Sequence, residues 1–258
     1  MRPMGRVVFR TVQAARLGKA LTLVLAAVLL AAAWRLDAGE EAVPVAAPAR
    51  PRPLRMHEPV YAVPVAERLV ALTFNVDWGT EFVPGLLDVL DARGVRATFF
   101  PTGRWAEAEP ELVREIARRG HELGNHGYRH DHPKQLNDAA LRDHIVRTQR
   151  LLRELTGVET RLYAPPYGEV DARIARIAAE AGHWTIMWTL DTIDWQRPQP
   201  ETIVRRVVPR VQPGAIILMH PTEPTLASLP HILERLLAEG WRFVPVGTLL
   251  ERAGAFAP

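Results

Sequence analysis

Short apolar runs alternate with amphipathic stretches along most of the chain, and this alternation limits the fold more than any other feature. In the amphipathic stretches, apolar residues recur at three- and four-residue spacing, which is typical of helices packed on one face. Strands that alternate with helices are expected to pair in parallel through right-handed crossovers. Seven such units predict an α/β fold, a distorted (β/α)7 barrel, with an open doubly wound sheet as the alternative. The predicted strands span 69–74, 95–100, 121–124, 161–163, 184–190, 215–219 and 241–244.

Residues 1–37 have the order of charges expected of an export signal. Basic residues without acidic partners precede an apolar run from Ala20 to Trp34, and charged residues follow it. The run is near the upper length of a signal-peptide core and slightly short for a relaxed membrane span. We therefore expect a signal peptide or a membrane anchor, with its cleavage left open. Either outcome makes the cytoplasmic membrane a partner of this segment and places the rest of the chain outside it, secreted or membrane-anchored.

Residues 38–66 are rich in alanine and proline and show no sustained helical periodicity. This composition predicts a semi-extended linker. The barrel domain is predicted to span 67–258. The chain has no cysteine, which excludes disulfides, thiolate metal sites and a cysteine nucleophile. Any metal must therefore bind His, Asp or Glu.

Two other classes of protein are disfavoured. The net charge is only +3, and outside the N-terminal segment basic and acidic residues are mixed, which argues against nucleic-acid binding. A phosphate- or nucleotide-binding α/β protein is disfavoured because no glycine-rich phosphate loop follows any predicted strand.

Polar and titratable residues follow several of the predicted strands. In (β/α) barrels, functional residues lie at the carboxyl ends of the strands, on the loops that lead into the helices. We therefore expect the following residues to meet at one rim: Asn75, Asp77, His126, His130, 165–168, Asp191, Asp194 and His220.

His126 and His130 are four residues apart, a spacing that lets two imidazoles share a divalent ion. Asp77 follows another strand and is the predicted third ligand. Two histidines and one carboxylate leave coordination positions open for water and substrate, as in catalytic sites. Zn²⁺ is the first candidate, with Co²⁺ or another divalent ion as alternatives. Asp77 as a turn or N-cap residue is the other interpretation.

The chain from about Arg68 to Glu251 resembles the NodB-homology domain of the family four carbohydrate esterases. Five motifs occur in the order of that family, which is more specific than any one of them. The residues of the first, third and fifth motifs are similar to those of a sporulation-associated, YlxY-like branch of the family. The motifs lie at Phe74 to Gly79, His126 to His130, Tyr163 to Gly168, Asp191 to Trp195, and Leu218 to His220.

The resemblance implies metal-dependent hydrolysis of N-acetyl groups on cell-wall or spore-wall glycan, polymers of N-acetylglucosamine or N-acetylmuramic acid. It implies that a metal at Asp77, His126 and His130 polarises the acetyl carbonyl and binds the attacking water. The backbone N–H of Tyr167 would help to hold the oxyanion. His220 would protonate the leaving amine, tuned by Asp194.

The resemblance also assigns a substrate pocket. Pro166 and Tyr167 of the third motif would contact the substrate, and Trp195 and Leu218 would form the walls of the acetyl pocket. From the residues alone, His220 also fits a structural histidine at a strand end. Trp195 and Leu218 also fit ordinary core positions.

Two positions depart from the family pattern. Asn75 stands where the family places its general base, and its amide cannot accept a proton at neutral pH. Ala164 stands where the third motif normally has an arginine that partners the base. Asp191 and Glu169 are the candidate replacement carboxylates by motif position. The paired loss leaves an alternative function open, a non-catalytic glycan-binding or morphogenetic module on a deacetylase scaffold.

Overall fold

The computed structural model describes residues 53–255, in which strands alternate with helices as the sequence predicts. The strands are β1 (Leu69–Val76), β2 (Thr98–Pro101), β3 (Glu122–Leu123), β4 (Leu162–Tyr163), β5 (Trp184–Thr185), β6 (Leu190–Asp191), β7 (Ala215–Met219) and β8 (Arg242–Phe243). The helices longer than one 3-10 turn are α1 (Val83–Asp91), α2 (Gly103–Ala108), α3 (Pro110–Arg118), α4 (Asp138–Thr156), α5 (Ala172–Glu180), α6 (Pro200–Val207), α7 (Glu223–Ala238) and α8 (Val246–Arg252).

The strands pair in parallel around a distorted ring. The larger sheet has the order β3-β2-β1-β7-β6, and β8 pairs with the start of β1. β4 and β5 form a second, two-stranded sheet, which a parallel bridge between Asn125 and Tyr163 connects to the end of β3. On the other side, Val60 bridges to Ile186 after β5, and Ala62 bridges to Ala215 at the start of β7. The parallel α/β fold is confirmed.

Segment 60–63 thus packs on the ring, although the linker was predicted to extend to residue 66. Val60 and Val63 are buried, and the N–H of Val63 donates to the carbonyl of Gly214 (3.0 Å). These valines supply apolar surface that the proline-rich composition around them obscured in the sequence. Packing onto the domain therefore begins before the predicted boundary at residue 67.

The single strand predicted at 184–190 is wrong, because the structure divides it into β5 and β6. The backbone changes neighbours between the two strands: Met187 donates to the carbonyl of Val60 (2.8 Å), and Thr189 donates to Ile216 of β7 (2.9 Å). A run of apolar residues predicts burial, and it cannot show where the hydrogen-bonding partner changes.

The predicted signal or anchor at 1–37 lies outside the described residues. Within 53–255, no helix is long and apolar enough to cross a membrane.

β1 is the central strand, and all eight of its residues are buried because both of its faces are covered. Val70, Leu72 and Phe74 belong to a core that includes buried residues of α1 and α7. Leu69 and Ala71 alternate with them and belong to a second core inside the ring, built from several strands. This two-residue alternation places Asn75 on the inner face, at the carboxyl end of the strand.

His121, just before β3, makes the fold sensitive to acid. Burial, with a smaller effect of the Arg96 charge, lowers its pKa to about 4. An unfolded histidine titrates near 6.5, so below that pH the unfolded chain takes up a proton that the folded state excludes. The free energy of unfolding from this residue is therefore expected to fall by about 2 kcal/mol between pH 7 and 4.5.

This loss can be measured by urea denaturation at the two pH values. The variant His121→Gln should lose about 2 kcal/mol less than wild type over this interval. The exposed His231 serves as the control, because His231→Gln should lose as much as wild type. An equal loss in wild type and His121→Gln would contradict the assignment.

Candidate active site

A cavity of about 480 Å³ opens at the carboxyl ends of the strands. It brings together most of the residues that the sequence singled out, although they come from five motifs far apart in the chain. The predicted residues that line it are Asn75, His126, His130, Tyr167, Trp195, Leu218 and His220, and the candidate replacement Asp191 joins them. Asp77, Pro166 and Asp194 are not among the lining residues.

Burial favours the neutral imidazole form of both histidines of the pair. The Nδ1 of His126 lies 2.7 Å from the carbonyl oxygen of Ala164, which can only accept, so Nδ1 carries the proton and Nε2 is left as the acceptor. Burial lowers the pKa of His126 well below 6.5, and it lowers the pKa of His130 as well. The two ring centroids are 5.1 Å apart. Neutral imidazole is the form that binds a metal ion.

The loop that carries the pair is fixed by backbone hydrogen bonds. The first N–H groups of α2 donate to it, from Gly103 to the carbonyl of Gly127 (2.9 Å) and from Arg104 to that of Tyr128 (2.8 Å). The side-chain oxygen of Asn125 accepts from the N–H of Gly127 (2.8 Å). These hydrogen bonds of the scaffold help to set the positions of the two histidines.

Gly127→Ala is expected to disrupt this loop. Gly127 has φ +78°, and a Cβ there would lie 1.8 Å from Nε2 of the buried His144. We expect the free energy of unfolding to fall by more than about 2 kcal/mol, from backbone strain and overlap together.

Gly157 is the matched control, because it has φ +74° and nothing within 4 Å of an added Cβ. Gly157→Ala should therefore cost only about 1 kcal/mol. Thermal or urea denaturation of both variants checks the difference, and equal losses would show that the overlap with His144 is unimportant.

Asp77, the predicted third ligand, is engaged by two neighbouring donors. Its Oδ1 accepts from the hydroxyl of Thr102 (2.8 Å), and both of its oxygens contact the guanidinium of Arg104 (3.3 and 3.2 Å). Among residues 53–255, no three His, Asp or Glu side chains converge closely enough to hold a metal ion. The three predicted ligands thus do not form a closed donor set in this structure, and the metal site stays a prediction. Asp77 remains close enough to His130 to oppose, by its charge, the lowering of that histidine's pKa.

The donor set thus fits a divalent ion only in part. The neutral pair of His126 and His130 has the right chemistry, whereas the carboxylate is engaged by Arg104.

Asp194 and His220 are joined by two hydrogen bonds at the site. Asp194 is fully buried and accepts three hydrogen bonds, from the N–H of His220 (2.6 Å), from its Nδ1 (2.7 Å) and from the hydroxyl of Thr225 (2.5 Å). Bonding through Nδ1 directs the Nε2 edge of His220 away from Asp194, and the ring lines the cavity. Trp78 stacks on the same ring, with centroids 5.9 Å apart and an interplanar angle of 6°. His220 is therefore oriented from two sides.

Tyr167 sits in an unusual backbone conformation at the groove. Its φ of 58° lies in the left-handed region, which is uncommon for a residue other than glycine and indicates a local constraint. Pro166 precedes it and is buried, so its role is in the turn and it does not reach the cavity. Tyr167 is 56% exposed.

Asn75 faces the cavity and is 7% exposed. Of the two candidate replacement carboxylates, only Asp191 reaches the cavity, and its Oδ1 accepts from the N–H of Ile193 (2.7 Å). Glu169 is bonded to His132 and to the N–H of Lys134.

Sequence reasoning missed several residues of the site. Trp78 and Trp188 line the cavity, and Trp78 lay within the first motif, where its aromatic ring was a usable signal. Arg104 and Thr225 act through contacts with distant residues, for which the sequence carries no local pattern.

Comparison with known proteins shows which family this chain resembles. The family model for polysaccharide deacetylase matches residues 62–186. The uncharacterized protein YlxY of Bacillus subtilis is 37% identical over 194 residues, which are 75% of this chain and 61% of YlxY. A peptidoglycan-N-acetylglucosamine deacetylase of Bacillus cereus is 34% identical over 196 residues, 74% of this chain and 71% of that enzyme.

Among solved structures, a CE4 family pseudoenzyme from Bacillus anthracis is similar, with a TM-score of 0.74 and 37% identity. The match covers 76% of this chain and 70% of the pseudoenzyme. A mutant of that pseudoenzyme, described as having restored enzymatic activity, matches with the same TM-score and 35% identity.

The chain has the architecture of a (β/α) barrel enzyme. Its parallel strands form a ring, and a polar groove at the strand ends carries an Asp–His pair. The chain belongs to the polysaccharide deacetylase family, the NodB-homology or CE4 group. Deacetylases of this family are generally metal-dependent.

Proposed function

We propose that the domain binds an N-acetylated cell-wall glycan in the groove and hydrolyses its N-acetyl groups, at a rate that Asn75 limits. The pair of buried Asp194 and half-buried His220 carries this proposal, because a histidine held through Nδ1 by a carboxylate is suited to deliver a proton from Nε2. Relatives named as peptidoglycan-N-acetylglucosamine and chitooligosaccharide deacetylases support the substrate class.

The groove offers aromatic surfaces for sugar rings. Trp78, Tyr167 and Trp195 are each between 41% and 56% exposed, and all three line the cavity. Exposed aromatic side chains around a cavity are suited to bind the apolar faces of a ligand. Leu218 lines the cavity and is 4% exposed, and it is proposed to contact the acetyl methyl group.

Hydrolysis breaks the amide C–N bond and joins a water oxygen to the carbonyl carbon. The proton that this water loses passes to solvent, because the Asn75 amide cannot accept it. His220 gives its Nε2 proton to the departing amine, and Asp194 stabilises the imidazolium from which that proton comes. The Tyr167 N–H is proposed to stabilise the oxyanion. His126 and His130 would hold a divalent ion, with Zn²⁺ as the first candidate. The chemistry that this ion would supply is a polarised carbonyl and a lowered pKa of the attacking water.

The location and the particular glycan are narrower proposals. The charge order of residues 1–37 supports a position outside the cytoplasmic membrane, anchored or secreted. The motif wording that is similar to the YlxY-like branch supports a spore-wall glycan as one substrate.

A second candidate function is a glycan-binding module without turnover. Asn75 at the base position favours it, as does the similarity to a CE4 pseudoenzyme, a mutant of which has restored enzymatic activity. Such a module keeps the aromatic groove and loses the chemistry.

One experiment separates the two functions. The domain is incubated with N-acetylglucosamine oligomers and with peptidoglycan, with added Zn²⁺ or with a chelator, and released acetate and bound glycan are both measured. Release that requires the metal supports the deacetylase. Binding without release supports the module, and neither binding nor release contradicts both.

A further inference from the structure

The ring of His132 lies flat on the ring of Tyr167. The ring centroids are 3.9 Å apart with an interplanar angle of 5°, and His130 meets the same tyrosine edge-on at 4.3 Å. Tyr167 is 56% exposed, so these two histidines supply ring contacts that a solvent-facing side chain would otherwise lack. His132 itself does not line the cavity.

Glu169 fixes the orientation of His132. Its Oε1 lies 3.0 Å from Nδ1 of His132, and its Oε2 accepts from the N–H of Lys134 (3.3 Å). Glu169 is two residues after Tyr167 in the chain. The loop that carries Tyr167 is therefore joined to segment 132–134 twice, by the stacked rings and by the carboxylate.

The backbone conformation of Tyr167 needs support from the residues around it. A left-handed conformation at a residue other than glycine persists only where the surroundings hold it. The stack holds the side chain of Tyr167, and the Glu169 bonds hold the C-terminal end of the turn.

We propose that His132, fixed by Glu169, is a positioning residue that holds Tyr167 at the mouth of the groove for glycan binding. This inference rests on the proposed function of the groove as a glycan site. It concerns the orientation of Tyr167 only, so it applies whether or not the domain turns over its ligand.

The test uses three variants of the full chain. His132→Ala removes the stack, His132→Phe keeps a flat ring without the bond to Glu169, and His231→Ala is a control at an exposed histidine far along the chain. Because the His132 side chain is 41% exposed, its truncation is compatible with folding.

The first measurement is the fluorine NMR spectrum of protein labelled with 3-fluorotyrosine, with the Tyr167 signal assigned through Tyr167→Phe. His132→Ala should move this signal, because the ring current of the stacked imidazole is lost. His132→Phe should leave it displaced from the position of a solvent-exposed tyrosine.

The second measurement is affinity for N-acetylglucosamine oligomers by calorimetry. His132→Ala is expected to weaken binding about three- to tenfold, the usual range for one aromatic pair. His132→Phe should weaken binding less than His132→Ala, because it keeps the ring and loses only the bond to Glu169, and His231→Ala should match wild type.

A Tyr167 signal that is unchanged in His132→Ala overturns the inference, as does unchanged glycan affinity in that variant when wild type binds. If wild type binds no oligomer, the proposed function fails, and the fluorine signal still decides whether His132 positions Tyr167.

Discussion

Asn75→Asp is expected to raise the rate of acetate release by about a hundred- to ten-thousandfold, the usual contribution of a general base. Asn75 lies on the inner face of β1 and lines the cavity with both histidines of the pair. A carboxylate there can accept the proton of the attacking water, which an amide cannot. Because the site is buried and Ala164 supplies no positive partner, the new carboxyl should have a raised pKa, and the gain should grow as the pH rises.

The measurement is the initial rate of acetate release from N-acetylglucosamine oligomers between pH 5 and 9. Asn75→Leu is the matched control, because it has nearly the same size without a carboxylate. It should be no faster than wild type. A rate for Asn75→Asp that equals or falls below the wild-type rate would show that the missing base does not limit hydrolysis.

Asp194→Asn is expected to remove most of the gain when it is combined with Asn75→Asp, with a rate about a hundredfold lower or more. The carboxylate of Asp194 accepts from three donors, two on His220 and one on Thr225. An amide has one acceptor oxygen and two N–H groups, so it cannot satisfy these donors or stabilise the imidazolium. Some loss of stability should accompany the loss of rate.

Thr225→Val separates the two effects. It removes one donor to Asp194 and leaves the carboxylate and its bonds to His220 in place. We expect the rate to fall by much less than in Asp194→Asn, although the stability of both variants is reduced. Equal rates of acetate release in the double variant and in Asn75→Asp alone would mean that His220 does not act as the acid.

Much of the fold could be predicted because local patterns and tertiary packing agree. The strand at Ala215–Met219 is found with the predicted bounds, since its apolar run ends where the chain leaves the core. The division of 184–190 could not be predicted, because Met187 donates to Val60 and Thr189 donates to Ile216, and neither partner is local in sequence.

The site also has features that the sequence predicted and one that it did not. Its convergence on one rim followed from the barrel rule, so Asn75, His126 and His220 are found around one cavity. Asp77 was placed at the correct strand end, but Arg104, 27 residues away, binds its carboxylate in the structure. A contact of this kind depends on where two loops meet, which spacing within a motif does not specify.

The most direct test of the account compares wild type with His220→Ala, both with Zn²⁺, in a long time course of acetate release from N-acetylglucosamine oligomers. Wild type is expected to release acetate faster than the variant, which should remain near the rate without protein. Identical slow release from both proteins, with the glycan still bound, would contradict a catalytic groove and leave a glycan-binding module.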